Sequence, residues 1–295
     1  MKGAGIWIRL GARPSPEEIV EHLDYVVIPL HSGERGPIGM GPSLRQWCAD
    51  VQAGGVEIWA MDWLPDPDSL GHVEALCDDA RELGAVGLMV DAEPDAGWRG
   101  RTARAQVYRR QLAQHAAGLD LAVTDYARGG IGRATLMELL AEVDGVRPVA
   151  VPQSYDPGGA YREGYHEESA ALWESYGATR TVIGAGAWLR GERRHRTPPE
   201  MRRHLAHVPA RSLGVCAWYA SLRGLRPLLP VIAEHRASTQ PRPSWPRDPG
   251  VTDPISRAAA DLARVALELR AAGYVDAAVA VVETAERIGS AVACG

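Results

Sequence analysis

The residues able to do chemistry in this chain sit at the ends of short apolar runs. Asp91 and Glu93 close the run VGLMVDAEP (86–94), and Asp125 and Tyr126 close LAVTDYA (121–127). Gln153, Tyr155 and Asp156 close PVAVPQSYD (148–156). Trp63 follows Asp62 at the end of VEIWAMDWL (56–64), Trp188 ends TVIGAGAW (181–188), and Trp218 precedes Tyr219 in LGVCAWYA (213–220). Cleaving a glycosidic bond takes one acid to protonate the leaving oxygen and a second group to stabilise the oxocarbenium-like state. Two acids two positions apart on a strand share a face. Crowding and partial burial raise one pKa of such a pair, which suits a general acid. The structural alternative is an ion pair of one of these acids with Arg9 or Arg128. Aromatic rings with polar tips around carboxylates suit sugar faces.

These residues need elements to hold them. With GIWIRL (5–10) and YVVIPL (25–30), the chain carries eight apolar runs, and polar, helix-length stretches separate them. Ser15 is a candidate N-cap for PSPEEIVEHL, and Gly84 ends the stretch that Asp68 opens. Eight strand–helix units predict an α/β fold, a (β/α)8 TIM barrel over residues 1–235. Its strands should read as continuous apolar runs because helices cover them. Catalytic groups of such a barrel come from the C-terminal strand ends. Asp91, Glu93, Asp125, Gln153 and Tyr155 are therefore expected in one pocket. The competing fold is a doubly wound sheet, but the GxG of GAGIWI precedes its strand and lacks the third glycine of a nucleotide-binding turn. Residues 236–254 are Pro-rich and read as a linker. Residues 255–295 carry two helical periodicities around Gly273, a two-helix appendage expected to pack on the barrel, another subunit or a partner.

Composition removes several classes. The 295 residues carry a net charge of -5, which offers no nucleic-acid surface. No apolar run reaches about 18 residues, so no membrane-spanning helix is expected. The N-terminus turns polar too early for a signal-peptide core, which predicts a cytoplasmic chain as synthesised, released or particle-delivered to a wall. Cys48, Cys77, Cys216 and Cys294 form no paired spacing and read as buried thiols. His195, His204 and His207 lie among arginines that oppose a cation, so neither metal nor cofactor is expected. Arg190, Arg193, Arg194 and Arg196 read as a solvated basic loop or a contact for an anionic polymer. Phe is absent beside 9 Trp and 9 Tyr, a bias that suits sugar platforms.

The runs of strands four, five and six resemble those of glycoside-hydrolase-like TIM barrels, similar in order to the family 18 chitinase-type and family 25 lysozyme-type barrels. The family 18 strand-four pattern DxxDxDxE places its last two acids on Asp91 and Glu93, while Val86 and Met89 stand at its other two acidic positions. The strand-six pattern MxYD maps to Gln153, Tyr155 and Asp156, with Gln in place of Met. A strand-eight tryptophan corresponds to Trp218. The family 25 pattern also has an acid-x-acid pair, and wants an Asp on strand one where this chain has Trp7 and Arg9. The resemblance covers residues 3–233. It implies a hydrolase of N-acetylhexosamine polymers, with peptidoglycan as the expected substrate. Glu93 would be acid/base and Asp91 its partner, with Tyr155 and Asp156 on the acetamido group. Trp63, Trp188 and Trp218 would stack on sugars, with Asp125, Tyr126 and Gln153 also binding substrate. The missing acids equally suit a glycan-binding barrel without catalysis, a component of a phage-tail-like or other assembly docked through residues 255–293.

Overall fold

The computed structural model describes residues 1–31, 41–63, 71–93, 97–143, 145–155, 162–189 and 192–237. Eight parallel strands close into a barrel. They are β1 (Gly3–Trp7), β2 (Tyr25–His31), β3 (Glu57–Trp63), β4 (Gly87–Asp91), β5 (Asp120–Tyr126), β6 (Val149–Gln153), β7 (Val182–Gly186) and β10 (Gly214–Trp218). Each strand neighbours its sequence successor around the ring, and β10 closes it against β1. All eight coincide with the apolar runs. A two-stranded hairpin, β8 (Trp188–Leu189) with β9 (Arg194–His195), is inserted after β7.

Helices cover the outside. The main ones are α1 (Pro16–His22), α2 (Pro42–Ala53), α3 (Val73–Glu82), α4 (Thr102–His115), α5 (Arg133–Leu140), α6 (Tyr165–Ser175) and α7 (Pro198–Leu205). Short helices α8 (Leu222–Leu225) and α9 (Leu229–Ala233) follow β10. Ser15 caps α1 in a reciprocal capping box with Glu18. Thr197 and Glu200 do the same for α7. Gly84 ends α3 at a positive φ of 68°, where a Cβ would be strained. The residues expected to begin α3, including Asp68, lie outside the described residues.

Strand parity sorts the side chains into two cores. The outer core, between barrel and helices, takes Leu88, Val90, Leu121, Val123, Val215 and Ala217. The interior takes Trp7, Tyr25, Val27, Trp59, Met89, Ala122, Val149, Val151, Val182 and Cys216. Three large rings fill the inside because glycines on neighbouring strands leave them room. A Cβ on Gly5 would lie 2.2 Å from the Tyr25 ring, and one on Gly87 would lie 2.5 Å from Trp59. Gly184 likewise faces the Trp7 indole. The polar tips of these rings all find partners. Tyr25 donates to the Val215 carbonyl at 2.6 Å, Trp59 to Glu57 at 3.2 Å, and Trp7 to the Met89 sulfur at 3.3 Å. The aromatic bias therefore serves the core first. Trp7, Trp47, Trp59, Trp98 and Trp173 are buried, and only Trp63, Trp188 and Trp218 of the described tryptophans reach the surface.

Cys48, Cys77 and Cys216 are buried and unpaired. Burial pushes Cys48 up to about 12 and Cys77 to about 11, so these thiols stay protonated and inert. The linker and helical hairpin expected over 236–254 and 255–295 lie outside the described residues, save Arg236 and Ala237. Those two remain on the barrel: the Ala237 amide donates to Asp24 at 2.8 Å and Arg236 to the Glu21 carbonyl at 3.2 Å.

Candidate active site

At the C-terminal end of the barrel, the inward parity of β3 to β6 delivers Trp63, Asp91, Thr124, Tyr126 and Gln153. Adjacent-strand register sets Trp63 beside Asp91 and Tyr126 beside Gln153. The Gln153 amide donates to Asp91 Oδ1 at 3.2 Å. That bond reaches across β5, because the intervening inward residue is the small Thr124. Its hydroxyl is turned away onto the Val151 carbonyl at 2.8 Å. Below Asp91 the next inward residue is Met89, capped by the Trp7 indole. The carboxyl thus stands on an apolar floor with an amide at its side.

The electrostatics follow from that placement. Burial, then the nearby charges of Glu93 and Asp125, push Asp91 well above the usual carboxylate range, and the Gln153 bond pulls it back only in part. Asp91 therefore holds a proton where an exposed carboxylate would not. Burial, and next the charges of Asp91 and Glu93, likewise raise Tyr155, whose hydroxyl remains a donor. Glu93 is half-buried, two residues beyond Asp91. The cluster can hold a proton next to a second carboxylate, the requirement that the strand-four pair suggested.

An aromatic wall faces the carboxylates. The Tyr155 and Trp218 ring centroids lie 6.4 Å apart at 40°. Tyr155 fits there because Gly186 stands opposite, where a Cβ would come within 3.2 Å of its ring. Trp188 sits on the β8–β9 hairpin, edge-on to His195 with centroids 4.9 Å apart. Trp63 and Tyr126 are exposed by more than a third. Asp156 lies outside the described residues.

Asp125 takes a different place from the one expected. It has the parity of Val123 on β5, so it faces the helical layer and is fully buried. Its oxygens accept the amides of Tyr126 at 2.6 Å and Ile131 at 3.1 Å, which folds the loop after β5. It acts on the pocket by charge through the strand, and holds Tyr126 by its backbone. Asp62 is likewise turned outward. It accepts from His72 at 2.8 Å and Tyr108 at 2.9 Å.

Of the arginine loop, Arg194 is ion-paired and Arg196 is bonded to backbone, Arg193 is exposed, and Arg190 lies outside the described residues. Arg194 is bidentate to Glu200 and also bonds Glu192, while Arg196 is buried against the Gly186 carbonyl at 2.7 Å. His204 packs on His166 with ring centroids 4.4 Å apart. Among the described residues, no group of three or more His, Cys, Asp or Glu could hold a metal ion. No helix among them is long and apolar enough to cross a membrane. The sequence carries no signal for the role of Thr124 or for the Trp7–Met89 floor, since only strand parity reveals them, nor for the contact of His195 with the Ala220 amide at 3.1 Å, which comes with the hairpin.

No protein-family model and no curated protein matches the sequence. Solved structures do match. A GH18 chitinase from Pseudoalteromonas aurantia superposes with a TM-score of 0.60 at 12% identity, covering 79% of this chain and 99% of that one. The GH18 chitinase ChiB of Flavobacterium johnsoniae gives 0.56 at 12%, covering 79% and 94%. A xylanase-α-amylase inhibitor protein, XAIP-I, in complex with trehalose gives 0.51 at 13%, covering 80% and 99%. The fold is a glycoside-hydrolase-like TIM barrel resembling the GH18 chitinases, at low sequence identity. An inhibitor protein shares that fold with the chitinases, so the barrel alone does not define an activity.

Proposed function

We propose that this barrel is a glycoside hydrolase acting on N-acetylhexosamine polymers, with cell-wall peptidoglycan as the foremost substrate. The observation that supports the reading is the cluster of Asp91, Glu93, Gln153 and Tyr155 beside Trp218. It combines a proton-holding carboxyl, a second carboxylate, donors and a stacking face at the rim where barrel catalysis occurs. Glu93 is the general acid/base at the glycosidic oxygen. Asp91 and the Tyr155 hydroxyl hold the acetamido group and offset developing charge, and Asp156, next in the same run, is assigned to the same group. Trp63, Trp188 and Trp218 support sugar faces, and Tyr126 lines the rim.

A second reading has its own observation. Met89, engaged by the Trp7 indole, stands where the family 18 pattern has an acid. Trehalose, moreover, is bound by an inhibitor protein of the same fold. A barrel that binds glycan without cutting it fits both facts, and residues 255–293 would then dock it into a larger assembly. Turnover decides between the two. The wild type should release reducing ends from purified peptidoglycan or chitooligosaccharides. Glu93→Gln should keep the thermal midpoint and lose about 10²–10⁴-fold in rate. Binding of these glycans without turnover by the wild type would select the second reading.

A further inference from the structure

The β8–β9 hairpin is joined to the segment after β10 by one side chain. His195 Nε2 accepts the amide of Ala220 at 3.1 Å and that of Ser221 at 3.3 Å. A ring nitrogen that accepts two N–H groups must present its lone pair, so the imidazole is neutral with its proton on Nδ1. The same ring meets Trp188 edge-on, and Trp188 pairs with His195 across the hairpin. Ala220 lies two residues beyond Trp218. On the far side, α8 lies flush on the ring, since a Cβ on Gly224 would fall 2.0 Å from Nδ1. Arg9 grips the Ala220 carbonyl from the loop after β1. The Arg9 amide meets the Tyr219 hydroxyl at 3.3 Å, and that hydroxyl donates to Ala12 at 2.8 Å.

We propose that neutral His195 is a positioning residue for the aromatic wall of the groove. It latches the hairpin carrying Trp188 to the segment that continues from Trp218, so the two rings present one sugar-binding face. The proposal deepens the glycan reading and rests on it. Protonation removes the lone pair that both amides need, so the latch opens in acid. The base of the hairpin stays fixed, because the Ala187 amide still bonds the Trp218 carbonyl at 2.8 Å and Arg196 the Gly186 carbonyl. Among the described residues, the charged groups on the packed elements are Arg9, Arg193, Arg194, Arg196 and Arg223, with Glu192 and Glu200 already engaged by Arg194. Partial burial also pushes His195 below its ordinary value, which sets the opening on the acid side of it.

Amide hydrogen exchange at Ala220 and Ser221 tests the latch directly. After correction for intrinsic rates, protection at these two amides should fall about tenfold or more between about pH 8 and about pH 5, while Ala187 stays protected. His195→Gln supplies a carbonyl acceptor that does not titrate, so it should keep protection and lose the pH dependence. His195→Leu should lose protection at every pH. In the wild type, chitooligosaccharide affinity should fall over the same range. His195→Gln should flatten that fall, and Trp188→Ala should weaken binding at every pH. Equal protection in wild type and His195→Leu, or protection indifferent to pH in the wild type, overturns the proposal. Loss of protection without any change in glycan affinity also overturns it, since the latch would then position nothing. A wild type that binds no glycan at any pH, with the exchange pattern as expected, refutes the glycan reading and leaves the latch standing.

Discussion

Acidification should strain this barrel through His166. The ring is 3% exposed. Its Nδ1 faces the Ser154 hydroxyl at 2.7 Å and its Nε2 the His204 carbonyl at 3.1 Å, with the His204 ring against it. Burial, with Arg196 adding repulsion, holds His166 down to about 4 from 6.5. The unfolded chain takes up the proton near pH 6.5 and the native ring resists until about 4. Stability from this group is therefore full above 6.5, falls between 6.5 and 4, and is level below. At about 1.4 kcal/mol per pH unit the loss is about 3 kcal/mol. Asp125 works in the opposite sense. Burial raises it to about 7 from 3.8 against the pull of its backbone amides. Its contribution is full below 3.8 and falls by about 4 kcal/mol as the pH rises to 7. The windows overlap, so the wild-type profile is flattened and the terms separate only in variants. Urea unfolding across this range should show the wild-type advantage over His166→Gln shrinking by about 3 kcal/mol from pH 6.5 to 4. The wild-type advantage over Asp125→Asn should move the other way, growing by about 3 kcal/mol over the same interval. Curves for wild type and His166→Gln that run parallel from pH 7 to 4 would refute the assignment of a neutral, buried His166.

Two further outcomes follow from the geometry. Gly5→Ala drives a methyl into the Tyr25 ring, within 2.2 Å, and should cost about 1–3 kcal/mol in denaturant unfolding; an unchanged midpoint would show that the ring has room to move. Gln153→Leu removes the donor that favours ionised Asp91, so the pH–rate limb set by Asp91 should move to higher pH with the fold intact; an unmoved limb would separate Gln153 from the chemistry.

Local patterning determined the barrel and its helical cover. Continuous apolar runs predict strands buried on both faces, and eight of them separated by helix-length stretches leave few other closures. The capping pairs Ser15–Glu18 and Thr197–Glu200 are equally local, since each is a contact between residues three apart. The acid pair Asp91 and Glu93, and the rim positions of Gln153, Tyr155 and Trp218, were legible because strand ends of a barrel converge on one face. Other features depended on which side of each strand faces inward, and a run that is apolar on both faces hides that parity. Asp125 and Gln153 both sit at strand ends, yet one folds a loop behind the sheet and the other reaches Asp91. The aromatic bias left the same choice open: composition does not tell a sugar platform from a ring packed against a glycine on the next strand. Contacts between distant segments were decided by tertiary structure alone. Trp7 reaches Met89, Thr124 leaves the gap that Gln153 crosses, and His195 joins a hairpin to the end of β10 because barrel closure brings the seventh and eighth strands together.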